Sequence, residues 1–214
     1  NCGRNASSDA DPNPENDPYE IEVSATTARN AARISDCAIF TVSRITAETY
    51  DHANKAGDYY LNAKERQAIE NLSSAFRAQG KKLIVIINTG NPIEVASWAH
   101  LADAIIYAGL SGEQIGNSVA DVIRGKVTPS GKLSSTWPIK FSDTPYAEYY
   151  PGDYTTAVYN DDIYVGYRYY ETFGVDVMYE FGYGLSYTTF DYSNFKIKKI
   201  GNNYKLSVDV TNTG

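Results

Sequence analysis

Between residues 24 and 125, stretches with apolar residues at helical spacing alternate with short continuous apolar runs. The first helical stretch follows Ser24 and places Ala28, Ala31 and Ile34 three residues apart, with Ala32 four residues after Ala28. The continuous runs are short and rich in β-branched residues, which is typical of buried strands. They are residues 37–44, 82–88 and 103–109. The pattern therefore predicts helices and strands that alternate along the chain.

Local signals predict where the helices between these strands begin and end. Asn62, followed three residues later by Glu65, has the spacing of a capping box. Ile69 and Phe76 then lie on one helical face, and Gly80 stands where a C-terminal cap belongs. Two further helices are predicted, from Pro92 through Trp98 and over residues 114–124 with Gly125 closing the second.

Helices that alternate with continuous apolar strands are typical of parallel sheets covered on both faces. We therefore predict an α/β fold, an open and mostly parallel sheet flanked by helices, from residue 24 to about residue 140. The pattern leaves the order of the strands open. In sheets of this kind ligands bind beyond the carboxyl ends of the strands, so candidate site residues are sought in the loops at that edge.

The two ends of the chain differ in composition from this central part. The first residues are polar and punctuated by proline, and the region after the α/β part is rich in tyrosine. Residues 193–200 and 204–214 alternate like the strands of a β-hairpin, which is marginally stable alone and therefore indicates the start of an all-β domain. The predicted domains are 1–18, a polar tail or loop; 19–145, the α/β domain; 146–190, an irregular Tyr-rich connector; and 191–214, a truncated β-hairpin.

Composition argues against several classes of partner. The 214 residues carry a net charge of −7, and phosphate binding needs a basic patch, so no nucleic-acid partner is predicted. No apolar run reaches the roughly 18 residues that span a bilayer, so no membrane partner is predicted.

The two cysteines are interpreted as free thiols rather than a disulfide. Cys2 lies in the polar tail, and Cys37 at the start of a strand is expected to be buried.

The first residue is Asn1 and the one methionine is Met178. The chain is therefore expected to be a processed or partial piece of something longer. Whether a signal peptide came before it is left open. The compartment stays open for the same reason, with cytoplasmic, periplasmic and secreted locations all compatible with the sequence.

Two carboxylates follow predicted strands at the edge where ligands bind. Glu48 comes after the first strand, in a loop that reaches to about Asn62 and is longer than the usual two to six residues. Long loops at such positions often carry functional residues, although a solvated glutamate is the commoner outcome for position alone. Glu113 is the second carboxylate, but an acid in a first helical turn capped by Ser111 or Gly112 also suits the helix dipole.

Other motifs do not fit the chemistry that they suggest. Residues 125–134 resemble a phosphate-binding loop, but five residues separate the glycines and Leu133 follows the lysine where Ser or Thr is needed. Residues 182–187 are not a strand-to-helix turn, so they are no dinucleotide fingerprint. His52 and His100 lack neighbours at metal-ligand spacing. We therefore predict no cofactor and no metal.

Four stretches in the second half of the chain follow one another with familiar gaps. They are PSGKLSSTWP (129–138), DIYVGYRYYETFG (162–174), YEFGYGLSYTTF (179–190) and VTNTG (210–214). This series resembles the second half of bacterial β-glucosidases of glycoside hydrolase family 3. The resemblance runs over essentially the whole chain beyond the tail, and four co-linear motifs are far more specific than any one of them.

The resemblance implies a domain assignment and a partner. Family members typically combine a TIM-like barrel, an α/β sandwich domain and a fibronectin type III-like domain. Residues 19–145 then correspond to the sandwich domain, and residues 191–214 to the first strands of the fibronectin type III-like domain. The family's aspartate nucleophile lies on the barrel, so the resemblance implies a barrel domain as the partner that completes the active site.

The resemblance also implies a catalytic residue. The family's acid/base glutamate lies on a sandwich loop in a pattern like S-R-x-x-G-E-G-x-D-R, and the matching stretch here is SRITAETYDH, residues 43–52. Glu48 falls on the acid/base position. Ala47 and Thr49 stand where glycines are common, and His52 stands where arginine is common. The chain would supply half of a site and would not turn over glycosides alone.

The function implied is that of part of a retaining β-glycosidase, with β-glucosidase placed first. Its substrate would be a β-linked oligosaccharide or glucoside with a terminal β-D-glucosyl residue. Two alternatives stay open: a catalytically silent structural or sugar-binding module, and β-xylosidase or α-arabinofuranosidase specificity.

Four tyrosines in the Tyr-rich region are expected to lie on strands and to pack a domain seam rather than stack on sugar. They are Tyr164, Tyr167, Tyr169 and Tyr170.

Overall fold

A computed structural model describes residues 22–45, 52–149, 155–156 and 158–214. The helices are α1 (Ala25–Ile34), α2 (Ala63–Arg77), α3 (Ile115–Ile123) and α4 (Tyr167–Phe173). The strands are β1 (Cys37–Ser43), β2 (Lys82–Asn88), β3 (Ala104–Tyr107), β4 (Trp137–Pro138), β5 (Val177–Tyr179), β6 (Phe190–Ile200) and β7 (Asn203–Asn212). Glu48 lies outside the described residues.

The central sheet confirms the predicted α/β fold. Strands β1, β2 and β3 pair in parallel in the order of the chain, with Ile39 opposite Ile84 and Ile86 opposite Ile106. Strand β2 has the predicted bounds, β1 ends one residue earlier than predicted, and β3 is shorter at both ends. The parallel register brings the carboxyl ends of all three strands to one edge of the sheet.

The core lies between the sheet and helices α1 and α2. Buried residues of the two helices pack with buried residues of β1 and β2 in one cluster; they include Ala28, Ala32, Ile69, Phe76, Val42, Leu83, Val85 and Ile87. Of the residues whose spacing predicted α1, Ala28 and Ala32 are buried, whereas Ile34 is 87% exposed. On the opposite face of the sheet Ile39 is 51% exposed in the described part of the chain.

The start of α2 confirms the predicted capping box. Asn62 Oδ1 accepts a hydrogen bond from the Glu65 N–H at 2.8 Å, and Glu65 Oε2 accepts one from the Asn62 N–H at 2.8 Å. At the other end the chain turns through Gly80, whose φ of +69° favours glycine. The helix is therefore fixed at the end that faces the loop after β1.

We expect Asn62→Ala to lower the free energy of unfolding by about 1 kcal/mol, because the Glu65 N–H loses its side-chain acceptor. For a domain of this size that is a fall in Tm of roughly 2–4 °C. Calorimetry of the full-length polypeptide measures it, with Asn62→Ser as the control because serine also caps helices well. Equal Tm values for wild type and Asn62→Ala would contradict the expectation.

The helix predicted from Pro92 through Trp98 is wrong. The described chain has a 3₁₀ turn at Ala99–Leu101 instead. The Glu94 carboxylate accepts from the Ser97 N–H at 2.5 Å and from the Ser97 hydroxyl at 2.8 Å, so a side chain takes the place of the helical backbone partner. The Trp98 ring is buried in the core, and its indole N–H donates to the Glu94 carbonyl at 2.7 Å.

The C-terminal half also differs from part of what its pattern predicts. Helix α4 and strand β5 lie within residues 146–190, which the sequence predicts to be irregular. Tyr167, Tyr169 and Tyr170 are therefore on a helix and not on a strand, and of these Tyr170 is buried while Tyr167 is exposed. Burial raises the pKa of Tyr170 to about 12.

Strands β6 and β7 form the predicted antiparallel hairpin, which turns at Gly201 with φ +61°. Both of its faces are exposed in the described residues. Its assignment to a fibronectin type III-like domain, like the four domain boundaries, stays a prediction.

Cys37 is exposed, which corrects its interpretation as a buried thiol. No helix in the described ranges is long and apolar enough to cross a bilayer.

Candidate functional site

The loop after β1 leaves the carboxyl edge of the sheet and returns at Asn62, the cap of α2. The structure describes both of its ends, up to residue 45 and from residue 52 onward. The six residues between them, 46–51, include Glu48 and lie outside the described residues. The described residues on both sides of this segment contact one another.

Arg44 holds the end of the loop that leaves β1. Its guanidinium donates to both carboxylate oxygens of Glu65, at 2.6 and 2.8 Å. The other donors reach backbone carbonyls, those of Asp58 at 2.8 Å, Ser43 at 2.7 Å and Tyr60 at 3.3 Å. One planar side chain thus joins the end of β1, the returning part of the loop and the first turn of α2.

The ion pair between Arg44 and Glu65 is buried, with side chains 7% and 4% exposed. Two charges removed from water are tolerated only when each is paired and its remaining hydrogen-bonding groups are satisfied. Glu65 meets that condition because its Oε2 also accepts the Asn62 N–H of the capping box. The capping box predicted for helix stability therefore also anchors Arg44.

Asp58 holds the end of the loop that follows residue 51. Its Oδ1 lies 2.5 Å from Nδ1 of His52, and its Oδ2 accepts the Ala53 N–H at 2.7 Å. A carboxylate can only accept, so the imidazole carries its proton on Nδ1. Nε2 of the same ring is buried and has no hydrogen-bond partner among the described residues.

The charge state of Asp58 follows from these contacts. Burial raises the pKa of its carboxyl, but the hydrogen bonds from His52 and the Ala53 N–H, with the charges of His52 and Lys55, lower it to below its ordinary value. Asp58 is therefore ionised at neutral pH. Because the folded pKa is lowered, the stability it contributes is present above its ordinary pKa of about 3.9 and is lost as the pH falls through the folded pKa.

The loop after β2 lies against the same region. The Glu94 N–H donates to the Tyr59 carbonyl at 2.8 Å, which joins this loop to the returning part of the loop after β1. The Tyr59 ring is buried and packs edge-on against Tyr60 and Phe141 at 5.0 and 5.3 Å between centroids. Burial raises the pKa of the Tyr59 hydroxyl, so this ring serves packing and stays neutral.

Glu113, the other predicted carboxylate, is placed differently from the prediction. It is exposed and precedes Gln114, the N-cap of α3, so it is not in the first helical turn. Ser111 does not cap the helix either, because its hydroxyl donates to the Ala108 carbonyl. Within the described ranges no group of three or more His, Cys, Asp and Glu side chains could hold a metal ion.

Three residues that anchor the loop were not singled out as site residues by the sequence, namely Arg44, Asp58 and Glu65. Arg44 stands inside the motif that carries Glu48, and Glu65 was predicted only as a capping residue. Asp58 carries no recognisable motif, since its contacts join positions that are distant in the pattern and close in the fold.

A family comparison decides what this arrangement belongs to. The family described as "Glycosyl hydrolase family 3 C-terminal domain" matches residues 6–187. The chain belongs to glycoside hydrolase family 3. The match covers the parallel sheet, its helices and the anchored loop, so the family resemblance of the sequence is confirmed.

Several relatives within family 3 are long proteins of which this chain matches one part. "Thermostable beta-glucosidase B" of Acetivibrio thermocellus is 33% identical over 207 residues, which cover 94% of this chain and 26% of that protein. "Exo-alpha-(1->6)-L-arabinopyranosidase" of Bifidobacterium longum is 38% identical over 154 residues, or 72% of this chain and 20% of that protein.

A solved structure gives the same result for the fold. "Beta-glucosidase 3B from Thermotoga neapolitana in complex with glucose" superposes with a TM-score of 0.84 and 44% identity, over 90% of this chain and 27% of that one. The family 3 chain described here thus spans between a fifth and just over a quarter of the length of these relatives, from 20% to 27%.

Proposed function

We propose that this chain is part of a retaining β-glycosidase, with β-glucosidase as the first assignment, and that Glu48 is its acid/base residue. The observation that carries the proposal is the anchored loop at the carboxyl edge of the sheet, which holds both ends of the segment that contains Glu48. Relatives named β-glucosidase and the family motif around residues 43–52 support the same assignment.

The chemistry needs a second carboxylate from elsewhere. A retaining glycosidase uses two carboxyl groups about 5–5.5 Å apart, one as nucleophile and one as acid and then base. We propose that an aspartate of a TIM-like barrel domain supplies the nucleophile, and that a terminal β-D-glucosyl residue of an oligosaccharide or glucoside binds between the two. The active site then forms where the loop meets the barrel.

The acid must hold a proton in the free enzyme and release it as the glycosidic bond breaks. Partial desolvation and a nearby negative charge both favour the protonated carboxyl. In the described flank of the segment, the charge of Arg44 is neutralised by its bidentate contact with Glu65. A cation with no partner there would lower the pKa of an adjacent acid and oppose its role.

A second sugar specificity is favoured by one observation. A relative 38% identical is named an exo-α-(1→6)-L-arabinopyranosidase, so proteins with a similar domain differ in the sugar that they release. The reaction class is shared and the glycone differs. The β-xylosidase and α-arabinofuranosidase alternatives belong to the same class of outcome, whereas a silent sugar-binding module does not.

Stereochemistry and substrate range test the proposal together. The full-length polypeptide is assayed on aryl β-D-glucoside, β-D-xyloside, α-L-arabinopyranoside and α-L-arabinofuranoside, and the first-formed anomer is followed by proton NMR. We expect the β-glucoside to react fastest by about tenfold or more, with β-glucose formed first. Faster release of another sugar with retention would reassign the glycone. First-formed α-glucose, or no turnover of any glycoside, would contradict the proposal.

A further inference from the structure

A pocket lies where three of the four family motifs meet. The motifs of residues 129–138, 162–174 and 179–190 contribute all of its lining residues except Val177. The chemistry proposed for Glu48 assigns none of these residues a role. Three motifs that are distant in the sequence therefore build one concave surface whose purpose lies outside that chemistry.

The pocket forms because the chain turns back at the end of α4. The helix stops at Gly174, whose φ of +63° favours glycine, and the Val175 N–H donates to the Tyr170 carbonyl at 3.0 Å. Strand β5 then follows, and Val177 and Tyr170 line the same pocket. Tyr170 is buried and Val177 is half-buried, so both belong to the inner wall.

Thr136 also belongs to the inner wall. Strands β4 and β5 pair in antiparallel fashion with Trp137 opposite Tyr179, and the residues just beyond this pair, Thr136 and Glu180, both line the pocket. Thr136 is 8% exposed, and its hydroxyl is buried without a hydrogen-bond partner among the described residues. Buried hydroxyl groups are normally paired, so Thr136 indicates a polar group that the described residues do not supply.

The rim combines two aromatic rings with two carboxylates. Tyr167 and Phe181 pack with 5.1 Å between their ring centroids and are 45% and 53% exposed. Glu171 and Glu180 are exposed, and neither has an ion pair or a hydrogen bond with a described residue. Arg168, three residues before Glu171 on α4, instead lies over the Tyr167 ring at 5.7 Å from its centroid. Exposed rings beside such charges are typical of a surface that binds a partner.

The group that fits this pocket is a planar cation. A guanidinium stacks on aromatic faces, and its N–H donors lie in one plane, so it can reach several acceptors at once. The rim offers both ring faces and carboxylates, and the inner wall offers a hydroxyl. An ammonium group is a compact point charge and would leave the flat ring surface uncovered. The net charge of −7 also favours a cationic partner.

We propose that this pocket is a docking site for an arginine side chain from the part of the full-length polypeptide outside these 214 residues. The chain matches only 20% to 27% of the length of its relatives, so most of each relative lies outside the matched part. Within this chain but outside the described ranges, Arg4 is the one lysine or arginine. Docking at this pocket is independent of Glu48 and of turnover, and it requires only that the chain be part of a longer polypeptide, as proposed above.

Carboxyl labelling tests whether the pocket is occupied. The native full-length polypeptide is treated with a carbodiimide and glycinamide, and mass spectrometry measures how fast each glutamate is modified. Glu113, an exposed carboxylate before α3, is the internal control. Glu171 and Glu180 are exposed in this chain, yet we expect them to be modified about tenfold more slowly than Glu113, because charge-assisted hydrogen bonds hold the docked state.

Arginine labelling identifies the partner. Phenylglyoxal reacts with free guanidinium groups, and its modification of each arginine is compared in the wild type and in Glu171→Gln/Glu180→Gln. One arginine outside residues 1–214 should be modified about tenfold faster in the double variant. Phe181→Ala, which keeps both carboxylates and removes a ring, should change the same arginine, whereas Glu113→Gln should change none. Tm shows that each variant folds, and the two single variants replace the double variant if it does not.

Three results would overturn this proposal. Modification of Glu171 and Glu180 at the rate of Glu113 would show that the pocket stays open in the full-length polypeptide. Slow modification of both without a change at any arginine would show that another group covers the pocket. A change confined to Arg4, or to a lysine followed by acetylation, would give the pocket a different occupant. None of these readouts needs turnover, so a wild type that cleaves no glycoside would refute the proposed function alone.

Discussion

On the proposed function, we expect Glu48→Gln and Glu48→Ala to lower kcat/KM for a β-linked disaccharide by about 10²- to 10⁴-fold in the full-length polypeptide, because the departing sugar hydroxyl is then left without a proton donor. An aryl glucoside with a good leaving group needs little protonation, so its kcat/KM falls far less. The measurement is a comparison of the two substrates at the pH optimum of the wild type.

The second half of the reaction gives an independent signature of Glu48. After the sugar is transferred to the nucleophile, the same carboxylate acts as a base that deprotonates water. Glu48→Ala should therefore accumulate the glycosyl-enzyme with the aryl substrate. Azide needs no deprotonation, so it should restore turnover and give a glycosyl azide of retained configuration.

Glu113→Gln is the matched control for Glu48, since Glu113 is an exposed carboxylate before α3 and the other acid that the sequence indicates. It should leave both substrates unaffected. A disaccharide rate near that of the wild type in Glu48→Gln, without azide rescue of Glu48→Ala, would remove Glu48 from the mechanism. A loss confined to Glu113→Gln would move the acid role to that residue.

Glu65→Ala should be among the most destabilising single changes in the described part of the α/β domain. It leaves the buried guanidinium of Arg44 without its counter-charge and the Asn62 N–H without its acceptor. Breaking a buried ion pair by removing one partner costs about 3–5 kcal/mol. For a domain of this size Tm should fall by roughly 6–20 °C, which calorimetry of the full-length polypeptide measures.

A double variant separates the effect of losing the ion pair from the cost of leaving one buried charge without a partner. Arg44→Met combined with Glu65→Leu removes both charges, and such replacements are often close to neutral in stability. We expect the double variant to be more stable than Glu65→Ala, yet to lose activity because Asp58 and Tyr60 lose the donor that ties them to β1. A double variant less stable than Glu65→Ala would show that Arg44 stabilises the fold mainly through its carbonyl contacts.

Much of the fold could be predicted because its signals are local. Strand β2 is a continuous apolar run with clear ends, and its bounds agree with the prediction. The capping box needs only Asn62 and Glu65 at the right spacing. Helix α3 was predicted within one residue at each end, because Gly125 with φ +70° stops it. Each of these decisions depends on neighbours within one or two turns of chain.

The errors arise where a side chain takes over a backbone role or where tertiary packing selects a face. The helix after Pro92 does not form because Glu94 binds the Ser97 N–H through its carboxylate. Ile34 is exposed because the contact of α1 with the sheet is made through Ala28 and Ala32. Apolar spacing alone does not show whether the face with Ala28 and Ala32 or the face with Ile34 is buried. Alanines are small and let a helix pack closely, so the less apolar face can be the buried one.

The sequence indicates Glu48 as a candidate acid, which stays a prediction, but it does not indicate the residues that anchor the ends of its loop. Glu48 was inferred from a motif, whereas the role of Asp58 depends on Arg44 and His52 coming to it from 14 and 6 residues away. One of those contacts ends on a backbone carbonyl, which every residue type possesses. No side-chain pattern in a single sequence can mark such a partner.

The contacts of Arg44 also bear on how this region can change during evolution. Positions 43, 58 and 60 offer it carbonyl oxygens, so substitutions there leave those acceptors in place, whereas Glu65 offers a carboxylate that few residues can replace. Natural variation should therefore be narrow at 44 and 65 and wider at 43 and 60. A lineage can then alter the residues between Arg44 and His52 while it inherits the contacts of Arg44 with Glu65 and with the three carbonyls.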